Sequence, residues 1–155
     1  MSPTTGEPAF ALQQFPETIA VVRLAPGAEV PEWAESSSLF SITATATETS
    51  LVCANRSVPG KARKAGPFTA FAVQGPLDLT MTGVLSALLA PLAEAEISVF
   101  TISTFDTDWV LVPVGDAEKA AEAWRSGGHT VTAAVPVNAA RNARMRPEKK
   151  PGKNK

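Results

Sequence analysis

The sequence predicts an α+β fold of two successive β-rich units, the second in the order βαββαβ, with helices on one face of an antiparallel sheet. Three observations carry this. In the second half, β-branched runs bounded by Gly, Pro and Asp alternate with two segments of helical periodicity. A Pro-, Gly- and base-containing stretch, RSVPGKARKAGP at 56–67, separates the halves. A hairpin-like segment in the first half recurs in the second at a fixed spacing.

Thr18–Leu24 (TIAVVRL) reads as a strand ended by Ala-Pro-Gly at 25–27, and Pro31–Glu35 has room for one helical turn. Leu39–Thr43 and Ser50–Ala54 read as strands around a Thr/Ala/Glu turn. After the linker comes a strand over Phe68–Val73, broken by Gly75 and Pro76. Val84, Leu85, Leu88, Leu89, Leu92 and Ala95 then recur at helical spacing, so this helix has one apolar face. Pro91 lies inside the pattern and removes a backbone N–H, which predicts a kink or an early end between Ala87 and Pro91.

Ile97–Thr104 (ISVFTIST) is a β-branched run, FDTD at 105–108 turns the chain, and Trp109–Pro113 is the partner strand. Asp116 stands where it can cap a helix over Ala117–Ser126, with Glu118 in the first turn, Arg125 in the last and Gly127 just beyond. Thr130–Val135 is the final strand. From Phe68 to about Val137 this is the split βαβ, or ferredoxin-like, order, in which two helices cover one face of a four-stranded sheet.

Shifted by 60 residues, LFSITATATETSLV (39–52) falls on VFTISTFDTDWVLV (99–112), matching Phe40 with Phe100, Ile42 with Ile102, Thr47 with Thr107, Leu51 with Leu111 and Val52 with Val112. The strand at 18–22 matches 69–73 only at an offset of about 51, so the first unit has lost most of its first helix.

The 155 residues are 45% hydrophobic and 19% charged, enough for a real core. Cys53 is the only cysteine, which excludes an intrachain disulfide, argues against a cysteine-rich zinc site and suits a reducing, cytoplasmic location. The N-terminal MSPTTGEPAFALQQFPE has acids where a secretory signal has bases, and no apolar core. The most apolar stretch, Val84–Ala95, is interrupted by Ser86, Pro91 and Glu94 and falls short of the ~20 residues a membrane span needs. The chain does not read as a membrane protein.

Charge is unevenly distributed. Residues 141–155 hold seven bases against the single acid Glu148, a surplus of +6 that leaves −7 for residues 1–140 of the net −1. The composition predicts a disordered basic tail, so the expected division is 1–60, 61–137 and a tail over 138–155. The tail reads either as a solubilising extension or as a contact for RNA, DNA or anionic lipid; the acidic body disfavours nucleic acid as the main partner.

Catalytic chemistry finds no foothold. His129 is the only histidine, with no metal-ligand spacing around it, and Cys53 reads as a small buried hydrophobe. Ser36–Ser38 form a polar turn without a nucleophile motif, and phosphate-binding glycine loops are absent. Trp33, Trp109 and Trp124 are too scattered for a stacking platform and read as core or interface residues. No catalytic residue, metal or cofactor is expected.

The run GPLDLTMTGVLSALLAPLAEAEISVFTISTFDTDWVLVP, residues 75–113, resembles the ACT domain of small bacterial proteins related to the CASTOR arginine sensors and to the regulatory regions of aspartate kinases. The resemblance is close over 68–135, weaker over 15–56 and absent from the tail. It implies tandem ACT units, the first degenerate, in a non-catalytic sensor. It also implies a small-molecule site, usually for an amino acid, in the loop between the first strand and first helix, often completed by a second ACT unit. Carried onto this sequence, that site is Gly75, Leu77, Asp78, Leu79, Thr80, Thr82, Gly83 and Val84, faced by Ile102, Ser103, Thr104, Phe105 and Asp106.

The local chemistry agrees, with alternatives open. Thr80 and Thr82 stand at the expected helix start, where unsatisfied N–H groups and the macrodipole favour an α-carboxylate. Asp78 is placed to accept from an α-ammonium, and Gly83 permits close approach. The same residues also serve as an ordinary N-cap and a packing glycine. Asp106 and Asp108 suit either a cationic ligand side chain or turn bonding, and Phe105 covers either ligand or core. Three functions follow: an amino acid sensor acting through a homodimer or partner protein, a ligand-free dimerisation or interaction module, or a regulatory subunit of an amino-acid metabolic enzyme.

Overall fold

The structure, a computed structural model, describes residues 8–134. In chain order its elements are β1 (Ala11–Leu24), β2 (Ser41–Ala44), β3 (Thr49–Ala54), β4 (Lys64–Val73), α1 (Val84–Glu94), β5 (Phe100–Ser103), β6 (Asp108–Pro113), α2 (Ala117–Ser126) and β7 (Thr130–Ala133). All seven strands join one sheet in the order β2-β3-β1-β4-β6-β5, with β7 beside β1. β4 lies antiparallel along one side of β1. Along the other side, β7 pairs in parallel with the first half of β1, Ala11 beside Thr130, and β3 pairs antiparallel with the second half, Ile19 opposite Ala54.

Alternation along the strands sorts apolar residues onto two faces. On one face, Leu12, Phe71, Val73, Val110 and Val112 pack against Val84, Leu88 and Leu92 of α1 and Ala117, Ala120 and Trp124 of α2. Leu111, between Val110 and Val112, points the opposite way and joins Ile19, Val52 and Ala70, with Phe68, Phe100, Ile102 and Trp109 partly exposed around them. That second face carries no helix among the described residues. A third cluster, Ala20, Val22, Leu51 and Cys53, is closed by Val58 with Trp33 and Ala34 from loops, where the second unit uses helices.

The two hairpins are equivalent, but at a spacing of 59 rather than 60. Ser41 pairs with Val52 as Phe100 pairs with Leu111, and Thr45 N–H bonds Glu48 O as Thr104 N–H bonds Thr107 O. A one-residue slip exchanges the faces of a strand, so the identities at 60 set inward residues on outward ones. Leu51 accordingly matches Val110, not Leu111. Likewise Ile19 stands opposite Ala54 as Phe68 stands opposite Pro113, which makes β1 and β4 equivalent at 49 instead of 51. The first unit therefore lacks ten residues between its first strand and its hairpin, close to the 11 residues of α1.

Several boundaries differ from expectation. β1 begins seven residues before Thr18, because Pro16 and Glu17 sit where the ladder to β4 is irregular, between Gln14 and Thr18, and a missing N–H costs little there. Lys64–Pro67, expected in the linker, opens β4. β2 and β5 are shorter than the runs at 39–43 and 97–104. Pro31–Glu35 closes a single turn through Ala34 N–H to Pro31 O at 3.1 Å. α1 continues one turn past Pro91 instead of ending there. Asp116 holds the N-cap position of α2 without a side-chain hydrogen bond. The final strand joins β1 rather than β4, so the second unit is no self-contained four-stranded sheet. The basic tail and Val135 lie outside the described residues.

Candidate functional site

Where β4 ends, two hydrogen bonds tie the loop leading to α1 against the turn between β5 and β6. Thr107 Oγ1 donates to Val73 O at 2.5 Å, and Leu77 N–H donates to Asp106 O at 2.7 Å. Gly75 makes this approach feasible: a Cβ there would stand 3.0 Å from both Asp106 O and Leu77 N. The turn holds its own shape, with Thr104 N–H donating to Thr107 O at 2.8 Å and Thr107 N–H to Thr104 Oγ1 at 3.3 Å. Phe105 is left 81% exposed at the tip.

Across from the turn, Asp78 Oδ1 accepts Thr80 N–H at 2.9 Å and Thr80 Oγ1–H at 2.7 Å. The backbone bond, then the hydroxyl, holds this exposed carboxyl below its ordinary value. α1 starts at Val84, later than expected, so Thr80 and Thr82 precede the helix. Gly83 takes the N-cap position at φ 77°, a left-handed conformation that favours glycine, without a side-chain cap. Ala87 N–H closes the first helical bond to Gly83 O at 3.0 Å. The N–H groups of Val84, Leu85 and Ser86 thus have no partner within the helix, and no acid occupies the first turn.

These parts enclose a cleft of about 310 Å³. Of the expected residues, Leu77, Asp78, Leu79, Gly83, Val84, Ser103, Thr104, Phe105 and Asp106 line it. Gly75 backs the loop, Thr80 is turned onto Asp78, Thr82 is exposed outside the lining, and Ile102 belongs to the apolar cluster on the helix-free face. Met81, Leu85, Ser86, Thr107 and Asp108 also line it. Asp108 Oδ1 accepts Ser103 Oγ–H at 2.6 Å. The lining carries three carboxylates, an uncapped helix N-terminus and no Lys, Arg or His. This combination suits a zwitterion, with an anionic group toward the helix amides and a cationic one toward the aspartates.

Other polar groups are engaged structurally. Glu17 accepts hydroxyl bonds from Ser36 and Ser37 at 2.6 Å each and from Ser38 at 3.1 Å, and the backbone N–H of Ser37 at 2.9 Å. Arg56 Nη2 reaches it at 3.1 Å. This clasp was not anticipated, since nothing local in either segment marks the pair. His129 Nδ1 accepts Phe10 N–H at 2.9 Å, and Cys53 is fully buried, with burial pushing its thiol up. Among the described residues no group of three His, Cys, Asp or Glu could hold a metal ion, and no helix is long and apolar enough to cross a membrane.

A model of the ACT domain matches residues 66–126, and a model of a family-specific N-terminal domain matches 17–61. A protein from Agobacterium tumefaciens is 30% identical, covering 85% of this chain and 99% of its own, with a TM-score of 0.76. A protein of unknown function from Vibrio cholerae is 15% identical over 77% of this chain and 90% of its own, TM-score 0.64. The regulatory subunit of aspartate kinase from Thermus flavus, 10% identical, covers 80% of this chain and 99% of its own at 0.54. These last two likenesses concern the fold. Among curated proteins there is no match.

Proposed function

This chain belongs to one family with the Agobacterium tumefaciens protein and carries an ACT domain, and from that premise we propose that it is a non-catalytic regulatory protein that senses a free amino acid. One observation carries the reading: the acid-free N-terminus of α1, Asp78 and Asp106 all line one cleft of about 310 Å³. An α-carboxylate would accept from the N–H groups of Val84–Ser86, and the α-ammonium would donate to Asp78 or Asp106. Leu79, Met81 and Phe105 offer apolar contact to the rest of the ligand. The protein would act in the cytoplasm as a CASTOR-like, stand-alone sensor without a cofactor. Its units would be a degenerate ACT-like one over 1–60 and an ACT domain over 61–137.

A ligand held by the folded form stabilises it by RT ln(1 + [L]/Kd), about 2.7 kcal/mol at a hundredfold excess over Kd. A thermal-shift screen against the twenty amino acids therefore tests the reading: a rise with one of them supports it and names the ligand class. A flat response to all twenty would overturn it.

A second reading rests on the exposure of Leu79 (67%), Met81 (45%) and Phe105 (81%) around the cleft. Such a rim also suits a ligand-free dimerisation or partner surface, including a regulatory subunit docked on an amino-acid metabolic enzyme. Sedimentation of the ligand-free protein, taken with the thermal-shift screen, tests the dimeric form of this reading: a stable dimer with a flat response to all twenty amino acids supports it, and a monomer excludes it.

A further inference from the structure

The cleft has a chemical complement within the same chain. Its three carboxylates, Asp78, Asp106 and Asp108, face no base in the lining, and the Asp106 carboxylate has no hydrogen-bond or ion-pair partner among the described residues. Elsewhere three arginines are paired, Arg23 with Glu48, Arg56 with Glu17 and Glu35, and Arg125 with Glu118 and Glu122, and Lys61, Arg63, Lys64 and Lys119 lie outside the lining of the cleft. The chain continues for 21 residues beyond Ala134, and its last fifteen hold seven bases against one acid. Twenty-one residues can span up to ~70 Å. From β7 to the β5–β6 turn the sheet requires only a few strand spacings of ~5 Å and the length of a short strand.

We propose that the basic segment 141–155 docks on the acidic cleft of its own chain and competes with the ligand for it, an intrachain brake on the site. The proposal rests on the reading of the cleft as a ligand site. Tethering holds the bases at an effective concentration in the millimolar range, so even weak pairing occupies the site until ligand displaces it. Most of the attraction is between exposed charges, so it weakens as salt shortens the Debye length. Full-length protein should then bind its ligand several-fold more weakly than a variant with Arg141, Arg144, Arg146, Lys149 and Lys150 changed to Gln, and the gap should close at high salt.

The test uses the full chain with Asn154→Cys carrying a nitroxide label; buried Cys53 stays unmodified. At low salt, ~50 mM, the amides of Asp78, Leu79, Phe105 and Asp106 should broaden, and at ~0.5 M they should recover. Asp106→Asn with Asp108→Asn should remove the broadening while leaving the rest of the spectrum intact. An absence of broadening at these amides, or broadening indifferent to both substitutions and salt, overturns the proposal. Because no amino acid is added, broadening in a protein that binds none of the twenty defeats only the sensor reading. Its absence in a protein that does bind one defeats only the brake.

Discussion

The indole Nε1–H of Trp124 donates to the backbone carbonyl of Leu88 at 2.8 Å inside the core. Leu88 lies three residues before Pro91, in the same helix whose first turn lines the cleft. The indole also meets Phe71 edge-on at 4.8 Å, so one side chain joins α2 to both α1 and the sheet. Trp124→Phe removes the donor and part of the buried volume. It should cost about 1–3 kcal/mol, read as a lower urea midpoint at unchanged m.

Glu17 predicts an acid-sensitive fold. Burial alone would raise its pKa, but the bonds from Ser36, Ser37 and Ser38 outweigh that and hold it at about 2, against an ordinary 4.5. A depressed pKa stabilises above the unfolded value and is lost as pH falls through the folded one. Between pH ~4.5 and ~2 the protein should therefore lose about 3 kcal/mol from this group. Glu17→Gln should flatten that part of the pH–stability curve measured by denaturant titration.

At the cleft, Asp78→Ala should leave cooperative melting unchanged, because the carboxylate is exposed and its partner Thr80 is local. Ligand affinity should fall roughly ten- to a hundredfold as a charge-assisted bond is lost. Isothermal titration with the amino acid found in the screen measures it, and unchanged affinity would place the ammonium elsewhere.

Gly75→Ala inserts a methyl 3.0 Å from Asp106 O and Leu77 N, neither of them a flexible side chain. The loop and the turn must separate, which should cost about 1–3 kcal/mol in chemical denaturation and weaken ligand binding in the same variant.

Thr49 offers the opposite sign. It is 4% exposed and its hydroxyl has no hydrogen-bond partner among the described residues. Thr49→Val keeps the β-branched shape and removes the stranded hydroxyl, so the thermal midpoint should rise, by about 1 kcal/mol of stability.

Local signals were the legible ones. Val84, Leu88 and Leu92 announce α1 by their spacing, and the cleft comes from two short runs, 77–86 and 103–108, each positioned by its own turn. Relationships between distant segments were not legible. ALQQFPE gives no alternating pattern because half of β1 is decided by β7, whose Thr130 lies beside Ala11. In sequence the hairpin repeat aligns one residue out because adjacent apolar pairs such as Leu51–Val52 and Leu111–Val112 tolerate either alignment, and only strand pairing decides between them. Glu17 and Ser36–Ser38, separated by a whole loop, show their pairing only in three dimensions.

β1 is made early in synthesis and β7 late, yet the two lie side by side, with Thr130 N–H on Phe10 O and Phe10 N–H on His129. As a nascent chain leaves the ribosome, Ala11–Gln14 can pair with β4 but must wait for nearly the whole described chain before its other edge is covered. During that interval it is an open edge in reach of neighbouring nascent chains, a vulnerability set by topology and independent of final stability. The finished protein closes it by uniting its first and last described strands, so slow translation of the second half should raise the aggregated fraction even of a sequence whose purified fold is unaltered.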